Sequence, residues 1–321
     1  MHAIQITDTG GPDVMRYTAL PDPEPSPGEV VVRVGAAGVN FIDTYQRAGM
    51  YPIQLPAVLG AEGAGSIVAV GDGVSAVGIG DRVSWCDAPG SYAELVRVRA
   101  DRVIGVPDAV DDATAASILL QGMTAHYLLD GSAHPRAGQT ILIHAGAGGV
   151  GLVLTQLAKA RGLTVIATVS TDAKAERSIA AGADHVLRYG ADLPEKVRAL
   201  TDGVGVDVAY DGVGKDTFEL TLASTRVRGI VVLFGAASGP VPPFDLQRLN
   251  PAGSLTVTRP TLAHFIADRD EFRWRAGDIM SAVASGAISI TVGARYRLAD
   301  AAVAHRDLQA RRTTGSVVLL P

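Results

Sequence analysis

The sequence offers almost no sulfur chemistry. A single cysteine, Cys86, excludes an internal disulfide and any four-cysteine metal lobe, and it fits a reducing cytoplasm. Lysine is nearly as scarce, with four (residues 159, 174, 196 and 215) among 28 basic side chains. Against 33 acidic residues this leaves a formal net charge of −5, and no basic stripe runs along any segment. That balance argues against a nucleic-acid partner. Long apolar runs are missing too. The longest stretch, Ala115 to Leu129, is interrupted by Gln121, Gly122, Thr124 and His126, so no membrane span is expected. The N-terminus has neither a charged leader nor an apolar core segment, so no secretion signal is expected either. What remains, over 321 residues with 47% hydrophobic and 19% charged content, is a well-cored globular chain of about two domains.

Glycine is abundant, and one stretch orders it. Ile141 to His144 reads as a buried strand entering Gly146-Ala147-Gly148-Gly149-Val150-Gly151, which fits G-x-G-x-x-G. Val150, Val153, Leu154, Leu157 and Ala158 form a helical stripe, Gly162 stops it, and Leu163 to Val169 reads as a second strand. In this βαβ setting Gly146 allows the tight turn, Gly148 lets backbone N–H groups approach a pyrophosphate, and Gly151 lets helix and strand pack closely. The helix N-terminus adds partial positive charge, so the stretch is a candidate dinucleotide site. Strands and helices keep alternating to Phe234, which implies a doubly wound parallel sheet. Ligands then gather at the carboxyl ends of its strands, near residues 145–151, 168–174, 189, 211–214 and 234–238. Thr261 to Ser285 reads as a long helical region, and Gly315 to Leu320 as a final strand rejoining the N-terminal part.

Residues 1–115 read instead as many short strands separated by Pro- and Gly-rich turns, which suggests a partly closed barrel. After one of these strands come Asn40, Asp43, Tyr45 and Tyr51, polar groups placed where a short helix begins; Asn40 or Asp43 could equally serve as its cap. The coenzyme reading turns on the end of the second strand of the glycine unit. Asp172, about 20 residues past the motif, would take a ribose 2′-OH and favour NADH. Lys174, a rare cation in the first helical turn beside Ser170 and Thr171, suits a 2′-phosphate and favours NADPH, which is the expectation adopted.

Several ordered motifs together resemble one family. They are Val39-Asn40-Phe41-Ile42-Asp43-Thr44-Tyr45, Leu59-Gly60-Ala61-Glu62-Gly63-Ala64-Gly65, Gln121-Gly122-Met123-Thr124-Ala125 and the loop from His144 to Gly151. Tyr210-Asp211-Gly212-Val213-Gly214, Leu255-Thr256-Val257-Thr258-Arg259-Pro260 and Arg311-Arg312-Thr313-Thr314-Gly315 complete the set. The chain resembles, end to end, the zinc-independent, zeta-crystallin-like quinone oxidoreductases of the medium-chain dehydrogenase/reductase superfamily. That resemblance implies an α/β protein with a GroES-like, partly open β-barrel catalytic domain (1–120 and 286–321) and a doubly wound Rossmann domain (121–285).

Zinc relatives carry a ligand cysteine at or beside the position of Asn40, and Gly-His-Glu where this chain reads Gly60-Ala61-Glu62. A catalytic zinc needs about three N, S or O ligands. With one cysteine, no histidine near residue 61 and no metal spacing among the seven histidines, no metal site is expected, and Glu62 is expected to be structural.

The resemblance further implies that Asn40, Thr124, Phe234 and Ser238 lie near the nicotinamide, and that Gly146, Gly148, Gly149, Val150 and Gly151 serve the pyrophosphate. Ser170, Lys174 and Tyr189 would serve the 2′-phosphate. Arg311, or failing it Arg312, would reach the cofactor. Tyr45, Tyr51 and Arg259 would line the substrate pocket, although aromatic packing for the tyrosines and a surface ion pair for Arg259 are the plainer alternatives. The expected activity is zinc-free, NADPH-dependent hydride transfer to quinones or α,β-unsaturated carbonyls, with Tyr51, or else Tyr45, orienting the carbonyl and the final proton coming from solvent. A 2-enoyl-thioester reductase and a non-catalytic NADPH-binding sensor are the rival readings. The family also implies a homodimer, with edge strands near Ala223–Leu233 as its contact.

Overall fold

The computed structural model describes residues 1–321. The chain forms two compact units, Met1–Met123 with Ile266–Pro321, and Thr124–Phe265.

The first unit is built on antiparallel strands. Its N-terminal part supplies β1 (His2–Ile6), β2 (Arg16–Ala19), β3 (Glu29–Val39), β4 (Ala57–Val58), β5 (Glu62–Val70), β6 (Arg82–Trp85), β7 (Leu95–Arg99) and β8 (Val103–Gly105). Two helices interrupt and follow them, α1 (Phe41–Arg47) and α2 (Asp112–Ala115), before α3 (Leu119–Tyr127). Strand β7 shows why these residues make sheet: Val96 and Val98 are buried while Arg97 and Arg99 point outward, the period-2 pattern of a half-covered strand. The core gathers Ile4, Ile6, Ile67, Trp85, Tyr92 and Leu319, all at most 2% exposed.

The second unit is the alternating one. It contains β9 (Thr140–Ile143), α4 (Gly149–Ala160), β10 (Thr164–Val169), α5 (Asp172–Ala180), β11 (His185–Arg188), α6 (Leu193–Ala199), β12 (Val206–Asp211), α7 (Phe218–Ser224), β13 (Thr225–Leu233), β14 (Thr256–Thr258) and α8 (Leu262–Phe265). The six strands pair in parallel in the order β11-β10-β9-β12-β13-β14. This is the doubly wound order, with β9 and β12 flanking the point where it reverses. Leu142, Ile166 and Ala209 on the central strands pack against Leu193 and Val197 of α6.

The chain then returns to the first unit through α9 (Arg269–Ala284), β15 (Val292–Arg297), α10 (Ala301–Gln309) and β16 (Ser316–Leu320). The larger sheet of that unit runs β15-β16-β3-β5-β6-β8, with β7 also on β3, and β16 meets β3 antiparallel at Val317↔Val39. A smaller sheet, β2-β1-β4, completes it. No helix is long and apolar enough to cross a membrane.

Three expectations from sequence need correction. The helical region Thr261–Ser285 is two helices, because Asp268 restarts the chain by capping α9: its carboxylate accepts from Asp270 N and Glu271 N, both at 2.9 Å. Helix α9 also lies in the first unit, whereas the sequence boundary at residue 285 assigned it to the second. Strand β13 is not the edge of its sheet over Ile230–Val232. β14 pairs beside it, a three-residue strand too short to show a period.

Candidate active-site residues

In the first unit the sequence candidates collect around the start of α1. Asn40 follows β3 directly and is 6% exposed. Asn40 is the N-cap residue of α1, and Asp43 at the third helical position closes a capping box on it: the Asn40 backbone N–H donates to Asp43 Oδ2 at 2.8 Å. The Asn40 side chain also reaches beyond the helix. Its Nδ2 donates to Glu62 Oε2 at 2.9 Å, and its Oδ1 accepts from Gln121 Nε2 at 3.3 Å. Glu62 is fully buried, and its second oxygen accepts from Leu120 N at 2.8 Å. Burial raises the Glu62 carboxyl to about 8, against the opposing pull of the Asn40 bond.

Behind this pair runs a buried polar chain that sequence reasoning missed. Tyr92 Oη donates to Asp43 Oδ2 at 2.8 Å and lies 3.1 Å from His305 Nε2. His305 Nδ1 lies 3.1 Å from Arg47 Nη1. The guanidinium can only donate, so His305 carries its proton on Nε2 and passes a donor to Tyr92. Burial also keeps His305 neutral, with its pKa lowered to about 3. The chain thus links a buried arginine to a buried aspartate through two neutral groups. Asp43 Oδ1 has no partner, and burial raises this carboxyl to about 7. No local pattern could have paired residues 43, 92 and 305, because they come from α1, the segment before β7 and the late helix α10.

Tyr45 and Tyr51 lie edge to face at 5.5 Å, and Tyr51 is 38% exposed. Arg311 is exposed at φ 58°. Its neighbour Arg312 is engaged, with Nη1 3.0 Å from Asp307.

In the second unit the parallel order places every strand's carboxyl end on one edge of the sheet. The glycine loop after β9, Ser170 and Lys174 after β10, Tyr189 after β11, residues 211–214 after β12 and residues 234–238 after β13 therefore share that edge. Arg259 joins them as the residue after β14. Thr124, 7% exposed, lies in α3.

The turn into the glycine loop differs from expectation, because its left-handed residue is Ala145, at φ 53°, and not Gly146. Gly146 is needed for closeness instead: a Cβ there would stand 2.7 Å from the Ala167 methyl on β10. At Gly151 a Cβ would meet the Ala145 carbonyl oxygen at 2.5 Å. Helix α4 has no side-chain cap, so Gly149 and Val150 keep N–H groups without an intrahelical acceptor. Ala145 N donates to Tyr189 Oη at 2.8 Å, and the Tyr189 ring stacks on His144.

His144 leads to another buried network. It lies 2.9 Å from Thr168 Oγ1 and 3.0 Å from Thr221 Oγ1. Asp211 accepts from Val213 N, Gly214 N, Thr217 and Thr221 at 2.8 to 2.9 Å, which satisfies its carboxylate and fixes the loop after β12. Ser238 works on the same loop: its hydroxyl donates to Val213 O at 2.8 Å and accepts from Asp216 N at 3.0 Å.

A parallel sheet with a glycine loop at its switch point, paired with a β-rich unit, defines the medium-chain dehydrogenase/reductase class of oxidoreductase. Known proteins agree with that geometry. Residues 26–108 match the alcohol dehydrogenase GroES-like domain, and residues 149–282 match the zinc-binding dehydrogenase family. Among curated proteins, the chain is 45% identical to a quinone oxidoreductase of Pseudomonas aeruginosa, with 99% of each chain covered. It is 40% identical to a 2-haloacrylate reductase of a Burkholderia species, covering 99% of this chain and 98% of that protein. Among solved structures, a mycobacterial protein complexed with NADPH superposes at TM-score 0.98 with 54% identity, all of both chains being covered. The Escherichia coli quinone oxidoreductase complexed with NADPH gives 0.97 with 40% identity, again over all of both chains. The chain belongs to the quinone oxidoreductase family of the medium-chain dehydrogenase/reductase superfamily, and it is an oxidoreductase.

Proposed function

We propose that this chain reduces quinones or α,β-unsaturated carbonyls with NADPH and without a metal ion. The observation that carries the reading is the Asn40–Glu62 pair. Where zinc enzymes of the superfamily hold thiolate and imidazole ligands, this chain has an amide hydrogen-bonded to a buried carboxyl and the methyl of Ala61. No three His, Cys, Asp or Glu side chains converge as a ligand set, so the donors present do not fit a zinc ion.

The residues do fit a dinucleotide. The cradle leaves no room for a Cβ at Gly146 or Gly151, and the uncapped N-terminus of α4 offers N–H groups to a pyrophosphate. Ser170, Lys174 and Tyr189 stand on the same sheet edge, which supports a 2′-phosphate there. The solved NADPH complexes of relatives at 54% and 40% identity support the same coenzyme. Bound NADPH would supply the hydride. The protein's work is then to hold a flat, already electrophilic acceptor and to orient its oxygen. Asn40, fixed from three sides, serves the nicotinamide end, and Tyr51, packed edge-on by Tyr45, hydrogen-bonds the acceptor carbonyl. The proton that completes the reduction comes from solvent.

Kinship with a 2-haloacrylate reductase favours activated alkenes as a second acceptor class. The protein acts as a cytoplasmic homodimer, with β14 as the open sheet edge. A panel of quinones, enones and enoyl thioesters with NADPH tests the activity. Tyr51→Phe should lower kcat/KM for the best acceptor by about tenfold, the loss of one hydrogen bond in the transition state. Unchanged kinetics would remove Tyr51 from the mechanism.

A further inference from the structure

The loop after β10 contains an aspartate placed to select the other coenzyme, and the structure shows what restrains it. Asp172 lies three residues beyond Val169, the last residue of β10, and its side chain is 97% exposed. An acidic group at this place ordinarily receives the ribose 2′-OH and repels a 2′-phosphate. Here its Oδ1 lies 3.1 Å from Nη2 of Arg188. Arg188 ends the neighbouring strand β11 and stands in register with Val169, so the two strand ends bring the charges together.

Stability does not account for the pair. An exposed single-point ion pair contributes little. The helix N-terminus of α5 already favours Asp172 without help. Arg188 Nη1 is buried with no hydrogen-bond partner, which opposes the arrangement. The effect that survives is the placement of charge. Asp172 and Lys174 by themselves sum to zero at this strand end, whereas with Arg188 the three residues sum to one positive charge.

We infer that Arg188 is a specificity-determining residue for the coenzyme: it restrains and neutralises the Asp172 carboxylate, so that the loop after β10 accepts a 2′-phosphate. The inference rests on the NADPH reading above. It assigns Arg188 an indirect role, acting through Asp172.

The test measures dissociation constants for 2′,5′-ADP and 5′-AMP by calorimetry, at low and fixed ionic strength, in the wild type and four variants. Wild type should bind 2′,5′-ADP more tightly. Arg188→Gln should weaken 2′,5′-ADP about tenfold and leave 5′-AMP within about twofold. Arg188→Lys should keep the wild-type ratio. Asp172→Asn should keep or raise it, and Arg188→Gln with Asp172→Asn should restore most of the loss. An unchanged ratio in Arg188→Gln, or a double variant no better than Arg188→Gln alone, overturns the inference. Wild type binding 5′-AMP as tightly as 2′,5′-ADP would overturn the NADPH reading itself, before any variant is compared.

Discussion

Replacing Glu62 with glutamine should invert the usual cost of a buried substitution as the pH rises. The Glu62 carboxyl has no exposure and two donors, Asn40 Nδ2 at 2.9 Å and Leu120 N at 2.8 Å. Burial raises it from the ordinary 4.5 to about 8. The folded protein therefore holds this proton more tightly than the unfolded chain does. Its contribution to stability is complete below pH 4.5 and is lost as the pH climbs to about 8. At about 1.4 kcal/mol per pH unit the ceiling is roughly 5 kcal/mol, and relaxation of the site brings a realistic loss to about 2–3. Glutamine cannot ionise, but its single carbonyl oxygen can serve only one of the two donors, at a cost of about 1–3 kcal/mol. At pH 5 Glu62→Gln should be the less stable protein. By pH 9 the gap should close or reverse. Asp43 titrates in both proteins, so the difference between the two curves isolates Glu62. Urea unfolding followed by circular dichroism from pH 5 to pH 9 measures it. Curves that stay parallel across that range would show that Glu62 remains ionised, and would refute the reasoning.

Tyr92→Phe removes a donor from Asp43 and an acceptor from His305, both buried, and should cost about 2–4 kcal/mol in urea unfolding. The lost bond also holds Asp43 down, so the stability of Tyr92→Phe should fall more steeply above pH 7 than that of wild type. Gly151→Ala drives a Cβ into backbone, at 2.5 Å from the Ala145 carbonyl, and should cost about 1–3 kcal/mol along with weaker dinucleotide binding by calorimetry. Gly277→Ala is the control: that glycine lies inside α9 with nothing within 4 Å of where the added methyl would stand, so it should raise stability by about 0.5–1 kcal/mol.

The second unit was legible in the sequence because its signals are local. A glycine loop, a helical stripe and runs such as Ile141–Ile143 each report one element, and parallel winding then dictates which ends meet. Strand β14 escaped because three residues carry no period, and the break at Asp268 was hidden by helical patterns on both sides. In the first unit the motif at Asn40–Tyr45 was visible, but its meaning was not. That Asn40 also reaches Glu62 depends on β3 and β5 lying side by side, a pairing of Gly38 with Glu62 across the sheet. Arg188 was passed over for the same reason. It reads as one more exposed basic residue until the register of β11 on β10 sets it beside Asp172.

The slot that β16 fills has a consequence for how the molecule is made. β16 lies between β15 and β3, yet β3 leaves the ribosome early and β16 last of all the strands. The second unit is one uninterrupted stretch and can close while synthesis continues. Until β16 emerges, the end of β3 at Ala37–Val39, beyond the residues that β7 pairs, waits with an unpaired backbone edge, and in that interval a nascent chain is most open to a wrong neighbour.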